Sequence, residues 1–590
     1  MRYWAPILLC SFILVLGIRE EPNAAEEGIR IDEISIEGNE HIADGRLKGV
    51  MYTRESRWWN KARFSMDLFR DDLHSVTAYY NNHGYLDARV ASWDTTHLES
   101  NRLRITIRIN EGPQSVIDSL KFSGNTILTD RDLQKMVTLA RGDPFSQQKM
   151  IDSNWKIVNA YAERGFLDAR VQPNIEIAGI QVRLTYQINE GLPTYIDTFQ
   201  IAGNQKTKDR VILRELEIQR GDLLTRSRLV QSRRNLYRTG LFNSVSIQVG
   251  GDTLQRKYRP VHLRVDEAKS GEFNFGIGYG SRELVRLSAE IRQGNLNGTG
   301  QQLGLRTKFS FREIEIEGAY SVPYFLLPGM ELDNTIYYRQ ETEDIYVLNR
   351  VGGEIELGKR FTDISRISTT LKVENNYFAT YDLRAVKDTI DSRLRTLRLT
   401  FTRDTRENLF NATTGSFFQW KAEMTGGFLA GTDRFIRSVI DYTRFLPATD
   451  WVHFAFQHKT GIIELYGNQT EIPVYERFYA GGDQSIRGFE DRAVSPRIDG
   501  KSVGGQMISI LRGEARIPVY KDFHAALFLD TGNVWEQVEQ FNTGDFRTGT
   551  GFGIRYNSPL GVIRADLGFK LFPEPNEDKY NIHLTVGQAL

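Results

Sequence analysis

Cysteine is nearly missing from this sequence: Cys10 is the single one among 590 residues. It lies inside an apolar stretch at the amino terminus, so the chain beyond that stretch has no thiol. Disulfides, zinc–thiolate sites and cysteine nucleophiles are excluded there together. Long hydrophobic runs are also scarce, and past the first stretch none approaches the 18 residues of a membrane helix. Neither sign of charge prevails, with 75 basic and 75 acidic side chains, which argues against a general nucleic-acid binder. The nine histidines show no metal-ligand spacing, and no glycine-rich segment completes the phosphate-loop pattern of Gly, four residues, then Gly-Lys-Ser. The expectation is a protein with no metal, no cofactor and no catalytic residues, hence no enzyme. Aromatics at 11% and 51 glycines make the chain too apolar for general disorder. A mean hydropathy of -0.41 speaks against a helical transporter. It leaves a β-barrel open, because a barrel strand turns only one face to lipid.

The amino terminus points to export. Arg2 precedes an apolar run from Ala5 to Gly17, followed by the polar, small-residue segment IREEPNAAEEG. The run is short for a membrane span and suits a secretory signal over residues 1–25, with cleavage near Ala24 or Ala25; an uncleaved anchor is the alternative.

Three repeats follow. IEGNEHIADGRL, FSGNTILTDRDL and IAGNQKTKDRVI place Gly38, Gly124 and Gly203 in register. YYNNHGYLDARV, AYAERGFLDARV and NLYRTGLFNSVSI align Gly84, Gly165 and Gly240, and the first two units close on INEG. Boundaries of 30–112, 113–192 and 193–268 give units long enough to be small domains. Each reads as strand, two helices and two strands. Ile29, Ile31, Ile34 and Ile36 alternate loosely, while Leu68, Leu73, Val76 and Tyr80 fall at helical spacing before Gly84. Asp71 and Asp72 read as a solvated helix face. A three-stranded sheet covered by two helices leaves a strand edge that could accept an extended peptide, or the units could be spacers.

From residue 271 to 590 the period becomes two. Phe273, Phe275, Ile277 and Tyr279 share one face, and LRLTFTR, VHFAFQH, AALFLD and GVIRADLGF repeat the pattern. Tyr580, Ile582, Leu584, Val586 and Leu590 share parity at the other end. Polar, Gly-rich segments such as RQGNLNGTG separate the runs. This pattern predicts a transmembrane antiparallel β-barrel. About 320 residues accommodate 16 strands of about 20 residues each with turns, although length alone also tolerates 14 or 18.

The segment GGDQSIRGFEDRAVSPR, Gly481 to Arg497, together with the repeats, resembles the Omp85 superfamily of outer-membrane assembly proteins. FNFGIGYG resembles that family's first barrel strand, and VPYF at Val322 to Phe325 its NPYF segment. DTRENLFNATTG, RYNSPLGVIRADLGF and YNIHLTVGQAL match further pieces in the expected order. The resemblance implies α+β periplasmic POTRA repeats followed by a 16-stranded transmembrane antiparallel β-barrel in the cell outer membrane. It implies that the loop carrying Ile486, Arg487, Gly488 and Phe489 folds back into the lumen, with Glu514 and Asp530 as wall partners of Arg487. It further implies a lateral seam between the first and last strands, formed by Phe273, Phe275, Ile277, Tyr279, Tyr580, Ile582, Leu584, Val586 and Leu590. Implied partners are unfolded outer-membrane protein clients, outer-membrane lipids, and periplasmic or lipoprotein accessory subunits or an inner-membrane-anchored partner of the TamB kind; nucleic acid is not among them. Within the family, the Leu590 ending and the three-repeat count resemble the translocation-and-assembly branch. The first strand and QGNLNGTG resemble the central assembly branch, and a two-partner secretion pore is the third reading.

Overall fold

The computed structural model describes residues 29–56, 63–98, 102–251, 256–382, 391–409, 412–449, 451–558, 561–575 and 577–586. The expected signal segment and Leu590 lie outside these residues. Among the described residues no helix is long and apolar enough to cross a membrane.

The first repeat contains β1 (Arg30–Glu37), α1 (Asp44–Val50), α2 (Met66–Asn81), β2 (Arg89–Leu98) and β3 (Arg102–Asn110). The second contains β4 (Val116–Ser123), α3 (Asp130–Met136), α4 (Gln147–Ala162), β5 (Arg170–Ala178) and β6 (Gln181–Asn189). The third contains β7 (Tyr195–Ala202), α5 (Asp209–Leu213), α6 (Arg226–Arg238), β8 (Phe242–Val249) and β9 (Tyr258–Glu267). The strand orders β1-β3-β2, β4-β6-β5 and β7-β9-β8 repeat one topology. In the first two, the opening strand runs parallel to the closing one.

Sequence periodicity needs two corrections in the first repeat. The loose Ile31-to-Ile34 step is a bulge: pairing with β3 shifts between Ile31 and Glu33, which returns Ile34 and Ile36 to the buried face. On α2 the buried residues are Phe69, Asp72, Val76 and Tyr80, whereas Leu68 is 49% exposed. Phe69, at i−7 and i−11 from Val76 and Tyr80, lies on their face; Leu68 lies one residue, about 100°, off it.

Asp72 is therefore no solvated acid. Fully buried, it accepts hydrogen bonds from the backbone N–H groups of Tyr52 (2.6 Å) and Thr53 (2.9 Å). It ties the loop after α1 to α2, where those two donors would otherwise be unpaired. Asp72→Ala is expected to cost about 1–3 kcal/mol, and Asp71→Ala less than about 0.5 kcal/mol. Urea unfolding followed at the first repeat measures both; equal effects would contradict the assignment.

The repeated Gly-Asn turn has one construction in all three units. Gly38, Gly124 and Gly203 have φ of 81°, 81° and 92°, and a Cβ there would collide with the carbonyl of Ile109, Ile188 or Val265 on the closing strand. Asn39, Asn125 and Asn204 each donate both to a carbonyl three residues on and to the Asp that opens the next helix. A glutamate at the end of the closing strand accepts the turn's backbone N–H groups: Glu111 from His41, Glu190 from Thr126 and Ile127, Glu267 from Lys206 and Thr207.

These carboxylates carry a pH signature. Burial acts to raise the Glu190 pKa, and the donors from Ile127, Thr126 and Tyr161 outweigh it, leaving it below the usual carboxylate range. At Glu111, burial is likewise outweighed by His41 and Tyr80. The folded state thus holds fewer protons than the unfolded chain near the ordinary carboxylate pKa. Its extra stability is complete above that pKa and is lost as pH falls through the folded value. Between about pH 5 and 3, Glu190→Gln should flatten the stability–pH slope of the second repeat. An unchanged slope would contradict this account.

The remaining described residues form a closed antiparallel barrel. Its first half is β10 (Gly271–Gly280), β11 (Leu284–Leu296), β12 (Gln301–Ser310), β13 (Glu313–Val322), β14 (Met330–Thr342), β15 (Tyr346–Thr362), β16 (Ser365–Tyr381) and β17 (Ser392–Asp404). Then come β18 (Gly415–Thr425), β19 (Phe435–Thr449) and β20 (Val452–Leu465). A long loop carries the two-residue strands β21 (Arg497–Ile498) and β22 (Lys501–Ser502). The wall resumes with β23 (Met507–Tyr520), β24 (Phe523–Trp535), β25 (Arg547–Ser558), β26 (Gly561–Lys570) and β27 (Tyr580–Val586). Leaving out β21 and β22, sixteen strands close the barrel. Strand β24 shows the rule: Leu527 and Leu529 are exposed, while Ala526, Phe528 and Asp530 are buried inside. A band of outward apolar side chains with charged groups turned inward is the cross-section of a barrel whose solvent is lipid.

In the compact unit that holds the barrel together with residues 201–216 and 233–246, barrel turns meet the third repeat. The Lys208 N–H donates to the Gly298 carbonyl (3.0 Å), Asn295 to the Thr207 hydroxyl (2.8 Å), and Arg214 lies over Tyr324 of VPYF (4.6 Å).

Candidate functional site: a lumen loop and a strand seam

The loop from 466 to 506, between β20 and β23, folds inward because its apolar residues find a core there. Ile486 and Phe489 are fully buried with Ala480, Val494, Ile508, Ile510 and Val534. Between them Arg487 is 2% exposed. Its Nε and Nη2 donate to the two oxygens of Asp530 (2.7 and 2.9 Å), and Nη1 donates to Glu514 (2.6 Å). The Arg487 backbone N–H adds a bond to Asp530 (3.1 Å), and the guanidinium stacks on Phe528 (3.7 Å). This planar, forked geometry suits arginine and no other side chain.

The loop backbone lies directly on the wall. A Cβ on Gly549 would meet the Arg487 carbonyl, and one on Gly568 would meet the Gly488 nitrogen. Glycine at these strand positions lets loop and wall approach each other. The structure thus brings together Ile486, Arg487, Gly488, Phe489, Glu514 and Asp530. Sequence reasoning missed several participants. Asp566 lies 3.7 Å from Arg487 and pairs with Arg555, which also reaches Glu514 (3.2 Å). His583 accepts from the Gly488 N–H (3.1 Å). Glu476, at the loop's start, is buried between Arg350 (3.2 Å) and Arg437 (2.6 Å). The regular inward parity of Asp566 and His583 was a usable signal; for Glu476 no sequence signal existed.

The seam joins β10 to β27. Among the described residues the ladder pairs Tyr279 with Val586 and Gly280 with Thr585, whereas β10 pairs with β11 at ten positions. The Ser281 hydroxyl extends the closure by accepting from the Leu584 N–H (3.0 Å) and donating to its carbonyl (3.3 Å). Phe273, Phe275, Ile277, Tyr580, Ile582 and Leu584 face outward and are exposed, with Phe273 at 67%. Tyr279 and Val586 are half-buried and mark the paired end. Leu590 lies outside the described residues. Among the described residues no group of His, Cys, Asp and Glu could hold a metal ion.

Comparison with known proteins follows the same division. A family profile described as "Omp85 superfamily domain" matches residues 295–590, half of the chain. A repeat profile named POTRA and described as "Surface antigen variable number repeat" matches 29–112, 115–191 and 194–268. An "Outer membrane protein assembly factor BamA" from Nitratidesulfovibrio vulgaris is 28% identical over 585 residues, covering 95% of this chain and 72% of its own. The protein of the same name from Neisseria meningitidis serogroup B is 23% identical, with 95% and 78% covered. The crystal structure of BamA from Haemophilus ducreyi lacking POTRA domains 1–3 superposes with a TM-score of 0.70 at 19% identity. The match covers 80% of this chain and 99% of that one, a likeness of fold.

Proposed function

Since this chain belongs to the Omp85 superfamily, we propose that it is an outer-membrane protein assembly factor, with its repeats in the periplasm and its barrel in the membrane, that folds and inserts other β-barrel proteins. The observation that carries this is the seam. A closed barrel hides every strand edge; this one has a junction where two described residue pairs hold the ladder. Opening there exposes unpaired N–H and C=O groups that template the strand of a client. In lipid such groups have no water to bond, so a client strand is their natural partner.

The repeats, with boundaries at 30–112, 113–192 and 193–268, present further edges. Strand β5 is one of the two outer strands of its sheet and exposes Ile175 and Ile177, a surface for an extended client or an accessory subunit. Arg487, held by Glu514 and Asp530, keeps the loop seated and the wall beside the seam in shape. No step calls for a nucleophile, a nucleotide or a metal. Two curated relatives covering 95% of the chain carry the assembly-factor name, which supports central assembly over the secretion reading. Proteoliposomes holding the purified protein should convert an unfolded barrel client to its heat-modifiable form faster than empty liposomes of the same lipid. Equal rates would contradict the proposal.

A further inference from the structure

The loop does more than sit against the wall: its contacts fall on both sides of the seam. On the β27 side, the Thr585 hydroxyl donates to Asp483 (3.0 Å) and His583 accepts from the Gly488 N–H (3.1 Å). On the β10 side, Arg282 in the β10–β11 turn pairs with Asp491 of the loop (3.0 Å). Arg282 also pairs with Glu343 in the β14–β15 turn, and Glu343 in turn receives Arg492 of the loop (2.6 Å). Arg492 is seated over the Tyr479 ring (4.1 Å) and holds a left-handed backbone (φ 59°). A non-glycine residue holds that conformation only where its surroundings impose it.

We propose that Asp483, Asp491 and Arg492 form a clasp by which the lumen loop holds the two edge strands together, so that the loop must let go of at least one side before the seam opens. This rests on the seam reading given above and names the residues that regulate it. The space behind the seam favours this assignment. A cavity of about 790 Å³ is lined by Gly278, Tyr279, Arg282, Asp483, Asp491 and Thr585, so polar ties span a gap where packed side chains would otherwise brace the edges. Two of the cavity's cations are matched by acids of the barrel, Lys308 by Glu313 (2.6 Å) and Arg306 by Glu317 (3.0 Å). Arg282, Asp483, Asp491 and Arg492 are positioning residues; they need not touch the client.

Amide hydrogen exchange of the full-length protein in lipid tests the clasp. Arg282→Gln, Asp491→Asn and Thr585→Val should each speed exchange across 271–280 and 580–586 by about tenfold, with exchange in β15 and β16 unchanged. With Cys10 the only native cysteine, an Arg282→Cys/Asp491→Cys pair can be joined by a short bifunctional thiol reagent. The joined protein should regain slow seam exchange and lose client assembly. Unchanged seam exchange in the folded variants would overturn the clasp, as would faster exchange spread evenly around the barrel. A lock placed directly across the seam tests the underlying gate separately. If that lock spares assembly, the gate reading falls while the clasp is still judged by exchange.

Discussion

Replacing Arg487 by alanine should cost about 3–5 kcal/mol and sharply reduce the yield of folded barrel, because it takes the nearest counter-charge from the fully buried Asp530 and leaves it only Arg512, at 3.6 Å. Asp530 takes three bonds from this one residue, two from the guanidinium and one from the backbone. The remaining backbone bond and the more distant Arg512 do not replace the two short guanidinium bonds. Glu514 is better protected, since Arg516 (2.8 Å) and Arg555 (3.2 Å) also reach it. The loss should therefore be centred on Asp530, and Asp530→Asn should be milder than Arg487→Ala. Arg487→Lys keeps the charge but cannot form the fork or stack flat on Phe528, so it should fall between wild type and alanine. Folded yield on unheated gels and the denaturant midpoint measure the series. Full yield and function in both Arg487 variants would remove the proposed role.

The second large effect concerns the seam. Tyr279 and Val586 are opposed in the β10–β27 ladder, and opposed residues in antiparallel strands bring their Cα atoms to about 4.5–5.5 Å. That lies inside the disulfide range of about 4.4–6.8 Å. A Tyr279→Cys/Val586→Cys protein should be active when reduced and reduced to background when oxidised, with activity recovered on adding reductant. Neither position lies in the lumen loop, so the lock leaves the Arg487 network intact. Normal assembly by a verified oxidised barrel would defeat lateral gating.

How much was legible in the sequence follows from how local each signal is. The strand period at Phe273 to Tyr279 and Tyr580 to Val586 is set by neighbouring residues and by the lipid outside, and it read directly as a barrel. The three Gly-Asn turns read as repeats because their left-handed φ admits little but glycine. What failed were places where one element's side chain serves another's backbone. Asp72 looked like a surface acid because its partners, the amides of Tyr52 and Thr53, carry no side-chain signature. Phe69 was passed over for Leu68 because both fit an approximate helical spacing and only packing decides between them. In the site, Arg487, Glu514 and Asp530 were reached through family likeness alone. Asp566, His583 and Glu476 join across 79 to 126 residues of chain, and only the folded-back loop brings them together.

The central claim is most directly tested by depleting the protein in its own cells and following folded outer-membrane barrels on unheated gels, with export across the inner membrane monitored in parallel. An assembly factor predicts an early, broad loss of folded barrels while export stays intact. Preserved bulk barrels, with only a narrow autotransporter or secreted set lost, would contradict it and move the chain to the translocation or secretion branch.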